Sequence, residues 1–488
     1  MNKALIGRLL AILLTFGLIA AACGSDDSLD SASVDDTVAD STDADADDAD
    51  ADADDADADA DDADAEADAD DADADVTEAA AGLEGTLRVL IHQNPPGVEF
   101  MENFNSEFEA ANPGVTVDMA VVNADDIPTI NQTRLNADDI DVTTISVTGF
   151  ANAVQPFMAG ADSPYWQQLI EAGLLMDLSG QGYLHNYDQA AVDGSSFDGG
   201  TYALSLGRTS YSGMFVNTDI LGDLGVEIPT TWGELESTCE AAKAGGYKCA
   251  VAGGQDGWPI FVGTYGLLGS LYPDQSALVE GLWDGSVAWD DATGMELFEK
   301  YEYFANDMLD AESAGLTGDS AAQRYAAGDV AFGPMGAWNA SIVADNASFA
   351  WEYIPFPGSD DAANNQTLFG KDDMSLAVAA DTPVADIAHA YLGALSDTDN
   401  YNAFVNATNY LPTQPTAALE SPLGTSIAPI LQAGNFAIGF EQLFVGPTGA
   451  GQWANAKDGA LWMYNGDFTD PAEAAAQAQA DLAAGLAG

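Results

Sequence analysis

Between Asp26 and about Glu78 the chain is mostly Asp and Ala in near-alternation, without a base or an aromatic ring. Like charges at that density repel along the chain, and alanine buries too little apolar surface to offset the entropy of ordering. Such a tract stays extended, so any hydrophobic core belongs to the residues after it. Residues 24–80 hold 26 of the 80 acidic residues. Residues 81–488 hold the other 54, nine of the 11 bases and all nine Trp, a balance of -45. That stretch is long enough for two or three core units. At a formal charge of -69 the chain lacks the clustered Lys and Arg of phosphate recognition, which excludes nucleic acid as a partner. It equally lacks a basic face for anionic lipid. Carboxylates are hard-cation ligands, but the tract has none of the glycines or fixed spacing of a calcium loop. It reads as a solvated, disordered spacer over 23–82, and no metal site is expected.

Lys3 and Arg8 precede an apolar run from Leu9 to Ala22. A membrane-spanning helix needs roughly 20 apolar residues, so this run is short for a span and suits a signal peptide over 1–22. Ile19-Ala20-Ala21-Ala22-Cys23-Gly24 resembles a bacterial lipobox, although Ala20 stands where Leu is commoner. The resemblance implies that Cys23 is acylated and that this lipid alone holds the protein on the outer face of the cell membrane. The alternative is ordinary cleavage with Cys23 incidental. With Cys23 lipidated, Cys239 and Cys249 remain as an even pair in an exported protein. A structural disulfide is expected there; two free thiols or a metal pair are the alternatives, and no His or further Cys lies nearby in sequence.

Residues 86–91, Thr-Leu-Arg-Val-Leu-Ile, predict a short buried strand. A loop of His92 to Gly97 should follow, then a helix from Phe100 with Phe104, Phe108 and Ala111 on one face. Asn112-Pro113-Gly114 stops it before a second strand, Val115–Val122. Strand–helix–strand order implies a parallel α/β sheet with right-handed crossovers. Thr231-Trp-Gly-Glu234 is a capping box that opens a helix to about Ala244. The proposed disulfide would pin that helix to the strand beginning at Cys249.

Several segments then occur in a distinctive order: Phe108-Glu-Ala-Ala-Asn-Pro-Gly-Val-Thr-Val117, Gly173-Leu-Leu-Met-Asp-Leu-Ser179, Tyr202-Ala-Leu-Ser, and Met214-Phe-Val-Asn217-Thr-Asp-Ile-Leu followed by Gly225-Val-Glu-Ile-Pro-Thr-Thr-Trp232. Gly253-Gly-Gln-Asp-Gly-Trp258-Pro, the run from Ala327 to Trp338, Pro355-Phe-Pro-Gly358 and Tyr410-Leu-Pro-Thr413 complete it. Over nearly all of 84–488 this order resembles the family 1 extracellular solute-binding proteins of bacterial ABC importers, carbohydrate type. The resemblance implies the two-lobed α/β fold of the type II periplasmic binding proteins. Lobe 1 would comprise 83–206 with 358–408, and lobe 2 would comprise 207–357 with 409–488. The crossings between them would lie near Ser205–Tyr211, Pro355–Gly358 and Asn400–Leu411. It further implies a monomer that captures a sugar or oligosaccharide between its lobes and hands it to the transmembrane subunits of an ABC permease, without enzymatic activity or cofactor.

Sugars present hydroxyls and an apolar ring face, so their sites combine aromatic platforms with fixed polar side chains. Trp338, in the Gly-x-x-Gly-x-Trp turn that the resemblance places at the cleft mouth, is the first candidate, and Trp258 the second. Trp166, Trp283 and Trp453 are loop-edge candidates, whereas Trp232 in a first helical turn reads as core. Gln93 and Asn94 follow the first strand, at the carboxyl end of the sheet where open α/β folds bind ligands. Arg208 and Tyr211 fall on the first crossing, with a salt bridge as the alternative role for Arg208. Lys371 and Asp372 follow the second. Asp256 could accept hydroxyl bonds or cap its own turn.

Two other functions compete. A glycoside hydrolase also needs aromatics and paired carboxylates, but in so acidic a chain carboxylate pairs carry no information. No Gly-x-Ser-x-Gly or His-Glu-x-x-His occurs, and His92, His185 and His389 lack metal-ligand spacing. A cationic solute such as a polyamine suits acidic walls on charge alone. The charge of 81–488 also implies self-repulsion that salt must screen, and hence salty surroundings.

Overall fold

The computed structural model describes residues 82–146, 153–438 and 446–487. The signal peptide, Cys23 and all but the end of the spacer expected from sequence lie outside the described residues. Leu87, Val89, Leu90 and Ile91 are almost fully buried, and they form strand β1 (Glu84–His92). It pairs in parallel with β2 (Gly114–Val122) over its whole length, from Glu84–Gly114 to His92–Val122. Helix α1 (Pro95–Ala111) joins them and starts five residues before the Phe100 expected from the aromatic spacing. The reason is Pro95 and Pro96: in the first turn a missing N–H breaks no bond and the fixed φ is already helical. Phe104 and Phe108 are buried edge-on to Tyr391, at 5.2 and 5.3 Å between ring centroids, and Phe100 meets Phe404. Removing either buried ring would cost about 3–5 kcal/mol. Ala111 does not join them; it is exposed and borders an open surface groove of ≈ 380 Å³ with Ala390 and Ala394.

Strand β3 (Val142–Ser146) lies on the other side of β1, also parallel. Then β4 (Leu204–Ser210) enters the same sheet. Three residues on, the chain is in a second sheet, as β5 (Gly213–Asn217). Helix α2 (Trp232–Ala244) follows, where the Thr231 hydroxyl accepts from Glu234 N. The Glu234 carboxylate reaches back to Thr230, one residue beyond the N-cap Thr231 that a reciprocal box would engage. Cys239 on this helix is disulfide-bonded to Cys249 on β6 (Lys248–Ala250). Closing so short a loop contributes about 2–3 kcal/mol. Helix α3 (Trp258–Leu271), α4 (Gly318–Ala326) and β7 (Val330–Gly333) come next. A 3-10 turn (Ala337–Asn339) then leads into α5 (Ala340–Asn346), and β8 (Trp351–Pro355) completes the second sheet, in the order β8-β5-β7-β6.

The chain crosses back as β9 (Leu368–Val378), eleven residues in the middle of the first sheet. Along one edge β9 pairs antiparallel with β4. Along the other it pairs first with β10 (Phe436–Ile438), in parallel, and then with β3. Gly370 permits this crowding, because a Cβ there would strike the Thr209 carbonyl and the Phe436 ring. Helix Pro422–Gln432 packs on β8 before the chain reaches β10, and helix Pro471–Leu486 ends on the second core. The result is two α/β lobes, each with its own sheet, whose segments alternate along the sequence. Among the described residues no helix is long and apolar enough to cross a membrane.

Candidate functional site

Crossing segments and strand ends converge where β4 leaves the first sheet. On the second lobe, Trp338 lies over Gly336 so closely that a Cβ at 336 would overlap its ring. Its indole meets that of Trp258, with centroids 6.1 Å apart and an angle of 37°. Trp258, at the first turn of α3, is 40% exposed, and Trp338 is half-buried. Large exposed aromatics are costly to leave in water, so a tilted, partly exposed Trp pair is an apolar platform that no described residue covers fully. Asp256 holds the turn before it: its carboxylate accepts from Gly318 N at 2.9 Å, at the start of α4 rather than within its own turn.

The turn that carries Trp338 contacts β4 of the first lobe. Its next residue, Asn339, is 3% exposed, and its side-chain carbonyl has no hydrogen-bond partner. Ser341 accepts a 2.9 Å bond from the Asn409 amide, close to the third expected crossing. Asn409 is in the left-handed conformation that Asn tolerates, and its side-chain carbonyl is also buried without a partner. The neighbouring Tyr410 covers Gly207 of β4 and accepts from the Asn94 amide at 2.7 Å. Asn94 also caps α1, and Gln93 beside it is exposed at the end of β1.

Two cations lie on the β4–β9 ladder. Arg208, opposite Asp372, donates to the Asp188 carboxylate at 2.9 and 3.0 Å and to Asp372 at 3.1 Å. Asp372 is 2% exposed, and that burial pushes its carboxyl up to about 6 against the pull of Arg208. Lys371, one rung along, is half-buried and stands opposite Thr209. Beside it His92 is buried, with its Nε2 3.6 Å from Asp373. Burial lowers the His92 pKa, and Lys371 lowers it further, against the pull of Asp373. The imidazole is therefore neutral at pH 7.

The structure thus brings Trp258 and Trp338 together, and joins Asn94 to Tyr410 and Arg208 to Asp372. It gives other surroundings to the remaining candidates. Tyr211 is buried against Tyr265, with centroids at 4.9 Å. Trp453 packs edge-on against Trp462 and Phe468. Trp166, expected at a loop edge, is instead fully buried within helix Tyr165–Glu171, beside Phe197; its helix packs that face onto the first core. Asn339, Asn409 and Thr209 were missed. For two of them the signal was adjacency to a motif, since Asn339 follows Trp338 and Asn409 precedes Tyr410.

Two α/β lobes hinged by crossing strands, with aromatic and polar groups gathered at the crossing, define a protein that encloses a solute between domains. The chain belongs to the family of bacterial extracellular solute-binding proteins, whose model matches residues 103–428, more than half of its length. The same fold occurs in the solute-binding protein RafE in complex with raffinose, which is 16% identical with a TM-score of 0.66; the match covers 82% of this chain and 100% of that one. A chitin oligosaccharide binding protein matches at 19% identity and a TM-score of 0.65, covering 83% of this chain and 100% of its own. The GacH receptor of Streptomyces glaucescens, solved without ligand and with acarbose, matches at 18% identity and a TM-score of 0.60, over 83% of this chain and 99% of its own. No curated protein sequence matches this one. As a member of this family the protein works outside the cytoplasm and binds a solute.

Proposed function

We propose that the protein captures a sugar or oligosaccharide between its lobes and delivers it to the permease of an ABC importer, acting as a monomer tethered by a lipid on Cys23. The observation that carries this reading is the Trp258–Trp338 pair, an apolar platform beside buried, unpartnered acceptors on Asn339 and Asn409. Sugars combine an apolar ring face with a rim of hydroxyl donors, which such a site matches. The raffinose, chitin oligosaccharide and acarbose ligands of proteins with the same fold support it. Solute binds one lobe, the lobes rotate about the crossings, and the closed form docks on the permease. The mechanism needs differential affinity for the closed state and no covalent chemistry.

A thermal-shift screen over mono- and oligosaccharides, with polyamines as a second arm, tests this. Stabilisation by sugars is expected; stabilisation by polyamines alone would overturn the carbohydrate reading. Sugar turnover by the purified protein would replace it with hydrolysis.

A further inference from the structure

In a domain with 54 acids and nine bases, a carboxylate is within reach of almost any cation. Eight of the nine bases are accordingly in salt bridges. Lys371 is the exception among the described residues. It is also the only residue of β9 that is not buried, within a strand whose other ten residues are. Among the described residues this half-buried lysine has no counter-charge, although the domain has carboxylates in large excess.

The neighbourhood of Lys371 explains why its own acids do not serve. Asp372 points to the opposite face of the ladder, onto Arg208. Asp373 is on the same face, but its carboxylate accepts from Met374 N at 2.8 Å and faces His92. Thr209 is the antiparallel partner of Lys371, which puts the two side chains on one face with Cβ atoms about 5 Å apart. The Thr209 hydroxyl is buried, at 1% exposure, and has no hydrogen-bond partner. An ammonium and an unused hydroxyl donor at paired positions on one face of the ladder form a small anion seat on the strand that crosses between the lobes.

We infer that the captured sugar carries an acidic group, a carboxylate or a sulfate, that seats against Lys371 and Thr209. This rests on the carbohydrate reading above and sharpens it. At physiological salt the Debye length is about 8 Å, so the distant surface acids are screened and contact charges decide which solute is accepted. A lysine is a compact point charge rather than a planar fork, so it takes either anion without a bidentate requirement.

Calorimetric titration of the full protein with uronic-acid disaccharides, sulfated disaccharides and neutral disaccharides of the same linkages tests the inference. At least one anionic set should bind tenfold or more tightly than its neutral counterpart. Lys371→Met should abolish that preference by weakening the anionic sugars at least tenfold relative to the neutral ones, and Lys371→Arg should keep it. The two anionic arms identify whether carboxylate or sulfate is the natural group. Neutral sugars that bind as well as both anionic sets, or a Lys371→Met variant that weakens neutral and acidic sugars alike, would overturn the anion seat and leave sugar capture standing. A protein that binds no carbohydrate in any arm would remove the carbohydrate reading and the seat together.

Discussion

Arg208 and Lys371 stand one rung apart on the same strand pair, on opposite faces, and differ in every respect that matters for function. Arg208 is enclosed by two carboxylates and makes three charge-assisted bonds. Among the described residues Lys371 has no carboxylate partner, only an unused threonine hydroxyl opposite it. The difference teaches how to read a cation in an acid-rich protein: pairing is the default, and the informative residue is the one left unpaired. The Arg208 face is closed by ion pairs within the fold, and the Lys371 face is the one on which the proposed anion seat lies.

The strongest way to break this comparison is Arg208→Met. It strands Asp372 in the interior, and removing one partner of a buried pair costs about 3–5 kcal/mol. Chemical denaturation should register that loss; a change below 1 kcal/mol would mean that the closed face carries no structural weight.

A second test uses pH. The folded-state pKa of Asp372, about 6, exceeds its unfolded value. The folded protein therefore keeps a proton that the unfolded chain has lost, and stability falls as pH rises from about 4 to about 6, by roughly 2–3 kcal/mol. Relative to Asp372→Asn, the wild type should lose that amount across the window and no more above it. Asp141 should behave oppositely. Burial works against its ionised form, but donors from Arg88 and Thr382 outweigh it and hold the carboxyl below the usual range. Its contribution is present above pH 4 and lost as the pH falls, so Asp141→Asn should flatten the acid limb of the stability curve.

Trp338→Ala sharpens the open side. It should weaken sugar binding about tenfold or more, while the melting temperature of the ligand-free protein stays nearly unchanged. A large loss of stability would instead make Trp338 a core residue. The smallest effect is expected from Lys371→Met without ligand: with no ion pair to lose, stability should move by no more than about 0.5 kcal/mol.

The elements that depend on local periodicity were legible from sequence. The apolar run of β1, the phenylalanine face of α1 and the Thr231 cap all express interactions within a few residues. The packing of Trp338 on Gly336 is local in the same sense, since the two lie two positions apart. What escaped is set by pairing across long separations. Nothing near Arg208 in sequence points to Asp372, 164 residues on, and nothing near Lys371 indicates Thr209 as its cross-strand neighbour. Trp166 escaped because its short helix has too few residues to display a period, so its burial is decided by the sheet it lands on.

Strand β10 carries a consequence for how the molecule is made. It adds residues 436–438 to a sheet whose first strand starts at Glu84. A chain leaving the cell amino end first has nearly all of its length outside before that sheet can close. Until then the edge of β9 is a template for wrong partners, and such late, distant pairings are slow. Neither lobe can be expressed as a contiguous half, and a chain cut short before Phe436 would emerge with its first lobe permanently unfinished.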